Sequence, residues 1–470
     1  MKFKNMQRIV LLIGMIGILS SCSDEILNQI DTNPNAPVNV SVDLLLPQAT
    51  MGAVYGVGGN FTMNQVSFIV EHTSNVSVNN VIDPFFIASS LWENSYLALN
   101  DLQAMIERAE QDGFYTYLGI GQVLTAYIFS QLTDVYGDIP MTEALKGSAI
   151  RNPKFDSQET VYNELFGLLD RAITNLERES VDNPGNLDLI FSGDKSMWIK
   201  TAYGLKARLH NRLSLRDPEG SAIAALEAIA NSFSNSDEAF VFSGYQQGTA
   251  FDNPWTGIQK PQQIFGISTT ILEVMEMFSG SLSADPRSDK WFSKIDGEII
   301  GGVSGQTVAD PNHVLYSAPS TANVLTDHAP QPLLMYDELK FIESEALLRL
   351  NRRSEAYDAY LAGVRAALEK EHFNEDEIAE YMALPAVDKG IADFRLEDIV
   401  GQKYISFWMF LPLEAFNDWR RTQFPEMKNE RGTFLRLPYP TDELSRNSNT
   451  PTDINEVAIY NKPLWWAAQE

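Results

Sequence analysis

The sequence predicts a mainly α-helical fold in which helical hairpins form the body and a loop-rich part is set into it. Apolar residues recur at helical spacing along most of the chain. Residues 336–370 read as two helices joined by a short turn, a hairpin that recurs in helical arrays. Three segments rich in Gly, Ser, Pro and Asn break the periodicity and are too long to be simple connections. With 44% hydrophobic residues over 470 positions, the chain can bury a large core.

The N-terminus is read first as an address. Lys2, Lys4 and Arg8 form a charged start, and Ile9 to Leu19 form an apolar run too short to span a bilayer. Leu19-Ser20-Ser21-Cys22 then matches a lipobox, in which the cysteine is acylated and becomes the first residue of the mature chain. Cys22 is the only cysteine, so neither disulfides nor thiol catalysis are expected. Several acyl chains at about 0.8 kcal/mol per buried methylene anchor such a protein firmly. Ser23-Asp24-Glu25 places acidic residues behind the anchor, as in some surface-exported lipoproteins. The expected organisation is a signal peptide over 1–21, a lipidated tether over 22–45, and one helical domain over 46–470. Insertions are expected near 76–90, 242–263 and 279–331.

Charge narrows the partners. Loss of residues 1–21 removes three basic residues and no acidic one, moving the formal charge from −27 to −30. Such a field repels phosphate backbones, so nucleic acid is excluded as a partner and neutral ligands fit better.

Within the body, Glu159 to Leu176 puts Val161, Leu165, Leu169, Ala172 and Leu176 on one face, with Asp156-Ser157 as capping candidates. Trp198, Leu205, Leu209 and Leu213 make a similar stripe before Asp217-Pro218. Tyr336–Leu350 and Ser354–Lys370, joined at Asn351-Arg352-Arg353, form a hairpin of tetratricopeptide-like size. Asp134 and Asp138 flank a Gly turn that Pro140 keeps from continuing as helix. Trp92, Trp198, Trp408 and Trp419 fall in periodic contexts and read as core.

Catalytic templates are missing: there is no HExxH, phosphate loop or nucleophile elbow, and the five histidines never pair at metal-ligand spacing. No catalytic residues and no cofactor are expected, and structural calcium is left open. The irregular segments are where binding residues are sought. Trp255 follows Asn253-Pro254 in a loop-like stretch, where an open ring could stack on the C–H face of a sugar. Tyr245, Phe85, Phe86 and Tyr316 are the other aromatic candidates, with Asn79, Asn80 and Gln246 as polar contacts.

The C-terminal third carries Ile399-Val-Gly-Gln-Lys-Tyr-Ile405, Glu414-Ala-Phe-Asn-Asp-Trp-Arg-Arg-Thr-Gln-Phe-Pro425 and Leu435-Arg-Leu-Pro-Tyr-Pro440. With Tyr136-Gly-Asp-Ile-Pro140, Asp285-Pro-Arg287 and Phe341-Ile-Glu-Ser-Glu-Ala346, it closely resembles the SusD/RagB family of outer-membrane nutrient-binding lipoproteins. Tyr203-Gly204 departs from that pattern, leaving the local packing open. The resemblance implies a SusD-like helical fold and a binding role without catalysis. It also implies an oligosaccharide ligand, anchoring in the outer membrane facing outward, and delivery to a SusC-like TonB-dependent β-barrel transporter. Peptide capture on the same fold is the alternative. A surface glycan hydrolase using paired acids such as Asp285 and Asp289 is the less favoured one. Arg420-Arg421 with Glu343 and Glu345 is expected to be a buried ion-pair network.

Overall fold

A computed structural model describes residues 41–59, 61–75, 84–249, 252–262, 264–305, 316–429 and 432–468. The elements are α1 (Val42–Ala53), α2 (Phe61–Ile69), β1 (Thr73–Asn75), α3 (Pro84–Asp112), α4 (Tyr115–Tyr136), α5 (Gln158–Glu177), α6 (Lys195–Arg212) and α7 (Pro218–Ile229). There follow β2 (Phe240–Phe242), α8 (Pro254–Gln262), β3 (Phe265–Ile267), α9 (Thr269–Ser279), α10 (Pro286–Trp291) and β4 (Gln331–Leu334). The chain closes with α11 (Tyr336–Arg349), α12 (Arg353–Glu369), α13 (Glu375–Met382), α14 (Leu396–Ser406), α15 (Pro412–Thr422), α16 (Thr441–Arg446) and α17 (Ala458–Asn461). The α1 helix begins inside the stretch read as tether, because Val42 and Leu46 both reach buried positions. Among the described residues no helix is long and apolar enough to cross a membrane.

The body is an array in which each helix packs on the next: α3 on α4, α4 on α5, α5 on α6 and α6 on α7. Local chemistry sets these helices. Ser157 caps α5 by accepting from the Thr160 amide, and Val161, Leu165, Leu169, Ala172 and Leu176 are buried at three-to-four spacing. Asp194 caps α6, and Asp217 with Pro218 starts α7 as well as closing the stretch before it. Gly137, at φ 86°, ends α4 and sends its N–H to Thr133 O. Then the sequential order is interrupted. The next partner of α7 is α11, which pairs with α12 and α14, so residues 230–335 form an insertion between two hairpins. Strand β2 pairs antiparallel with β4 and clasps the two ends of that insertion together. Inside it, β3 pairs with β1 from the N-terminal part.

Gly204 explains the departure from the family pattern. A Cβ there would lie 2.5 Å from Leu334 Cδ2 and 2.7 Å from Ser232 Oγ. Only glycine lets α6 approach β4 this closely, at the base of the clasp. Gly204→Ala is expected to destabilise the fold by about 1–3 kcal/mol through overpacking, despite the better helix propensity of alanine. Urea unfolding would measure it, and a neutral or stabilising result would remove this account.

Polar groups in the core are paired in a network. Arg208 donates to both oxygens of Glu338 at 2.7 Å and to Leu333 O. Glu414 lies between Arg208 and Arg212. Arg421 meets Glu345 and Asp418. Two expectations need correction. Glu343 is not a member, because it pairs with Lys340 at the partly exposed face of α11. Arg420 pairs with no carboxylate of this network and donates instead to Asp134 O, Leu435 O and Asn417 Oδ1.

Candidate functional site

The site is built where the insertion meets the end of the α11/α12 hairpin. Asp285 caps α10 and holds Arg287 at 2.8 Å, and Arg287 in turn donates to Tyr381 Oη of α13 at 2.6 Å. This fixes α10 and so aims Trp291. From the turn after α14 comes Trp408, and the two indoles stack with centroids 4.8 Å apart at 21°. Phe292 meets Trp408 edge-on at 5.1 Å. Both indole N–H groups are held within the protein, Trp291 Nε1 by Glu371 Oε2 and Trp408 Nε1 by His72 O, each at 3.0 Å. Both indoles are almost wholly buried, at 3% and 4% exposure, and present only a small aromatic surface.

That surface lines a cavity of about 240 Å³, with Val324, Met335, Phe410 and Leu411 completing an apolar wall. Polar groups gather around it: Lys290, Asn323, His328, Glu371 and His372. A concave apolar wall with a few placed polar groups has the character of a small-ligand site. Lys290 Nζ donates to Glu371 O, which joins α10 to the end of α12. His328 Nδ1 lies 3.1 Å from Tyr245 O. A carbonyl only accepts, so Nδ1 is the donor of this bond.

The residues singled out from sequence take other places. Trp255 is no open platform: its side chain is fully buried. Asn253 Oδ1 accepts from the Trp255 amide at 2.9 Å, so Asn253-Pro254 starts α8 instead of continuing a loop. The ring packs on Phe265 and meets Phe410 edge-on at 5.9 Å, while its Nε1 donates to Gln331 Oε1. Trp255 thus stands one layer behind the cavity wall. Tyr245 is also buried, between Tyr55 and Phe242, and touches the site only through the carbonyl that orients His328. Gln246 is exposed and Tyr316 is half-buried beside Gly302, and neither lines the cavity. Phe85 and Phe86 fall in the first turn of α3. Asn79, Asn80 and Cys22 lie outside the described residues.

Asp285 and Asp289 do not form an acid pair. Asp285 is buried on Arg287, and Asp289 faces Lys294 at 2.7 Å in solvent. Among the described residues, no group of three or more His, Cys, Asp or Glu side chains is arranged to hold a metal ion. Trp408 is buried as its sequence context suggested, but its place on the cavity, and Trp291 altogether, escaped sequence reasoning. Periodicity marks Trp408 as buried, but it carries nothing about which other stretches the ring meets past the end of α14. A usable cue was the pair of doublets, Trp291-Phe292 and Phe407-Trp408, each at a helix end.

Residues 34–440 match a family of SusD-like proteins described as starch-binding and associating with the outer membrane. The chain belongs to this SusD-like family. Its fold is similar to a SusD/RagB family protein from Bacteroides thetaiotaomicron, with a TM-score of 0.79 and 23% identity over 92% of this chain and 100% of that one. It is also similar to a SusD homolog from Parabacteroides distasonis, with a TM-score of 0.77 and 20% identity over 91% and 98%. A chitin-binding SusD homolog from Flavobacterium johnsoniae gives a TM-score of 0.74 and 18% identity over 90% and 99%. No curated protein matches the sequence significantly.

Proposed function

We propose that this protein is a lipid-anchored binding protein of the outer membrane that captures an oligosaccharide and passes it, uncleaved, to a SusC-like TonB-dependent β-barrel transporter. The observation that carries the reading is the stacked Trp291–Trp408 pair in a cavity at the edge of the insertion. Aromatic surface with a few polar groups suits sugars, whose C–H faces stack while their hydroxyls find partners. Family membership and the chitin-binding description of a structural relative support a glycan. Cys22 of the lipobox supplies the anchor and Asp24-Glu25 the outward address, at the start of the tether expected over 22–45. Binding without chemistry agrees with the separate pairing of Asp285 and Asp289.

Two measurements test this. In the native host, Cys22→Ser should move the protein out of the membrane fraction. A chain begun after Cys22 should be stabilised by soluble neutral glycans, by about 2.7 kcal/mol at a hundredfold excess over Kd. Stabilisation by peptides alone would transfer the role to peptide capture, and release of shorter sugars from any glycan would make the protein a hydrolase.

A further inference from the structure

Resting on that glycan-capture reading, we infer that Asn253 and Gln331 are positioning residues of the Trp291–Trp408 cavity. They are two buried side-chain amides, both oriented by Trp255, that hold two parts of the cavity wall without touching the ligand. Neither lines the cavity, and each is 1% exposed. Their role follows from which of their atoms can face which neighbour.

Trp255 presents a donor to each of them. Its main-chain N–H goes to Asn253 Oδ1 at 2.9 Å and its indole N–H to Gln331 Oε1 at 3.0 Å. Only the oxygen of a side-chain amide can meet a donor, so both NH2 groups are turned the other way. There they find carbonyls. Asn253 Nδ2 donates to Ala329 O at 3.1 Å and lies 3.5 Å from Thr326 O. Gln331 Nε2 donates to Phe410 O and Pro332 O, each at 3.1 Å. A single tryptophan thus aims both amides.

Those carbonyls belong to the wall. Residues 320–330 form a strap that gives the cavity Asn323, Val324, Thr326 and Ala329. Its first half is tied to α10, with Ser320 N–H on Trp291 O at 2.8 Å and Asn323 Nδ2 on Lys290 O at 3.2 Å. Asn253 takes hold of the second half. The other part of the wall is the turn after α14, which carries Trp408, Phe410 and Leu411. Met409 stands there at φ 75°, a conformation that a side chain of its size rarely adopts, and Phe410 N–H reaches back to Trp408 O at 3.1 Å. Such backbone persists where its surroundings fix it. Gln331 fixes it from behind. A small cavity whose walls drift by a fraction of an ångström loses its fit, so these two ties set affinity.

The experiment uses the chain begun after Cys22 and two variants that spare the fold. Asn253→Ser keeps a hydroxyl able to cap α8 but too short to reach the strap. Trp255→Phe with Gln331→Met removes the indole donor together with its acceptor, so no N–H is stranded, and leaves Phe410 O untied. Amide hydrogen exchange without ligand reads the wall: it should rise over 320–330 in the first variant and over 407–411 in the second, with the helical hairpins unchanged. Calorimetry with maltohexaose, cellohexaose and the N-acetylglucosamine hexamer reads the site. Whichever sugar binds the parent chain should bind each variant about tenfold more weakly. Parent-like affinity in either variant, exchange that stays unchanged, or a rise spread evenly over the whole chain would overturn the positioning role. If no sugar binds the parent chain while exchange rises in the expected segments, glycan capture fails and the hold of the two amides on the wall stands.

Discussion

Arg421→Ala should cost the folded chain about 3–5 kcal/mol, the largest effect expected of any single substitution considered for this protein. The guanidinium is almost wholly buried and touches Glu345 through two nitrogens at 2.6 and 2.9 Å, Asp418 at 2.7 Å and Ser214 Oγ at 2.8 Å. Burial opposes the charge on Glu345, yet Arg421 and Arg349 beside it hold its carboxyl well below the usual carboxylate range. Deleting the side chain leaves that carboxylate with Arg349 and Asn211, still buried and short of partners. Arg421→Lys keeps the charge but loses the fork, and should fall between the two. Removing both charges in Arg421→Met with Glu345→Leu should recover only part of the loss, because Arg349 then loses its carboxylate and Asp418 keeps only Lys403. Urea unfolding of the four chains decides it. A loss under about 1 kcal/mol in Arg421→Ala would mean the network is not what holds α11 to α15.

The second large effect is loss of stability in acid, centred on His72. Burial lowers this imidazole to about 3, only partly offset by Tyr404 O 3.1 Å from Nε2. The carbonyl partner puts the proton on Nε2, and Nδ1 has no partner to receive a second N–H. Below about pH 6.5 the unfolded chain binds a proton that the native state refuses, so stability is full above that pH and falls as pH drops toward 3. The slope is about 1.4 kcal/mol per pH unit. His210, stacked on Phe166, is lowered to about 4 by burial and by Lys206, and it adds a term of the same sign. Unfolding midpoints measured from pH 7.5 to 5 should fall, and His72→Gln should flatten that fall by about one proton while lowering stability at neutral pH. An unchanged slope in the variant would discharge His72 from the role. The site would feel the transition, since His72 O holds the indole of Trp408.

How much of this was legible depends on the range over which each residue's role is decided. The α5, α11 and α12 helices were readable because three-to-four spacing and caps such as Ser157 act within a few residues. Gly137 was readable as a turn for the same reason. Trp255 was misread because Asn253-Pro254 can open a helix as well as a loop, and only packing on Phe265 and Phe410 selects the helix. The cavity was beyond reach. Trp291, Glu371 and Trp408 come from three separate stretches, and their meeting depends on Asp285, Arg287 and Tyr381 fixing α10. The ion network was half legible: charge on helix faces marked Arg421 and Glu345, but not that Glu343 turns outward.

The β2–β4 clasp gives the molecule a built-in boundary between what is constant and what is free to change. Because Phe240 and Leu334 face each other, the insertion leaves the helical array and re-enters it at one place. Its ends are already joined, so doubling an inner loop adds only about 0.6 kcal/mol of closure entropy. Exposed loops between the clasped ends can therefore be lengthened at little cost, unlike the segments tied to the rest of the molecule, where β3 pairs with β1 and Arg287 with Tyr381. The cavity wall is shared across that boundary, Trp291 from inside the clasp and Trp408 from outside it, so its shape belongs to both halves at once.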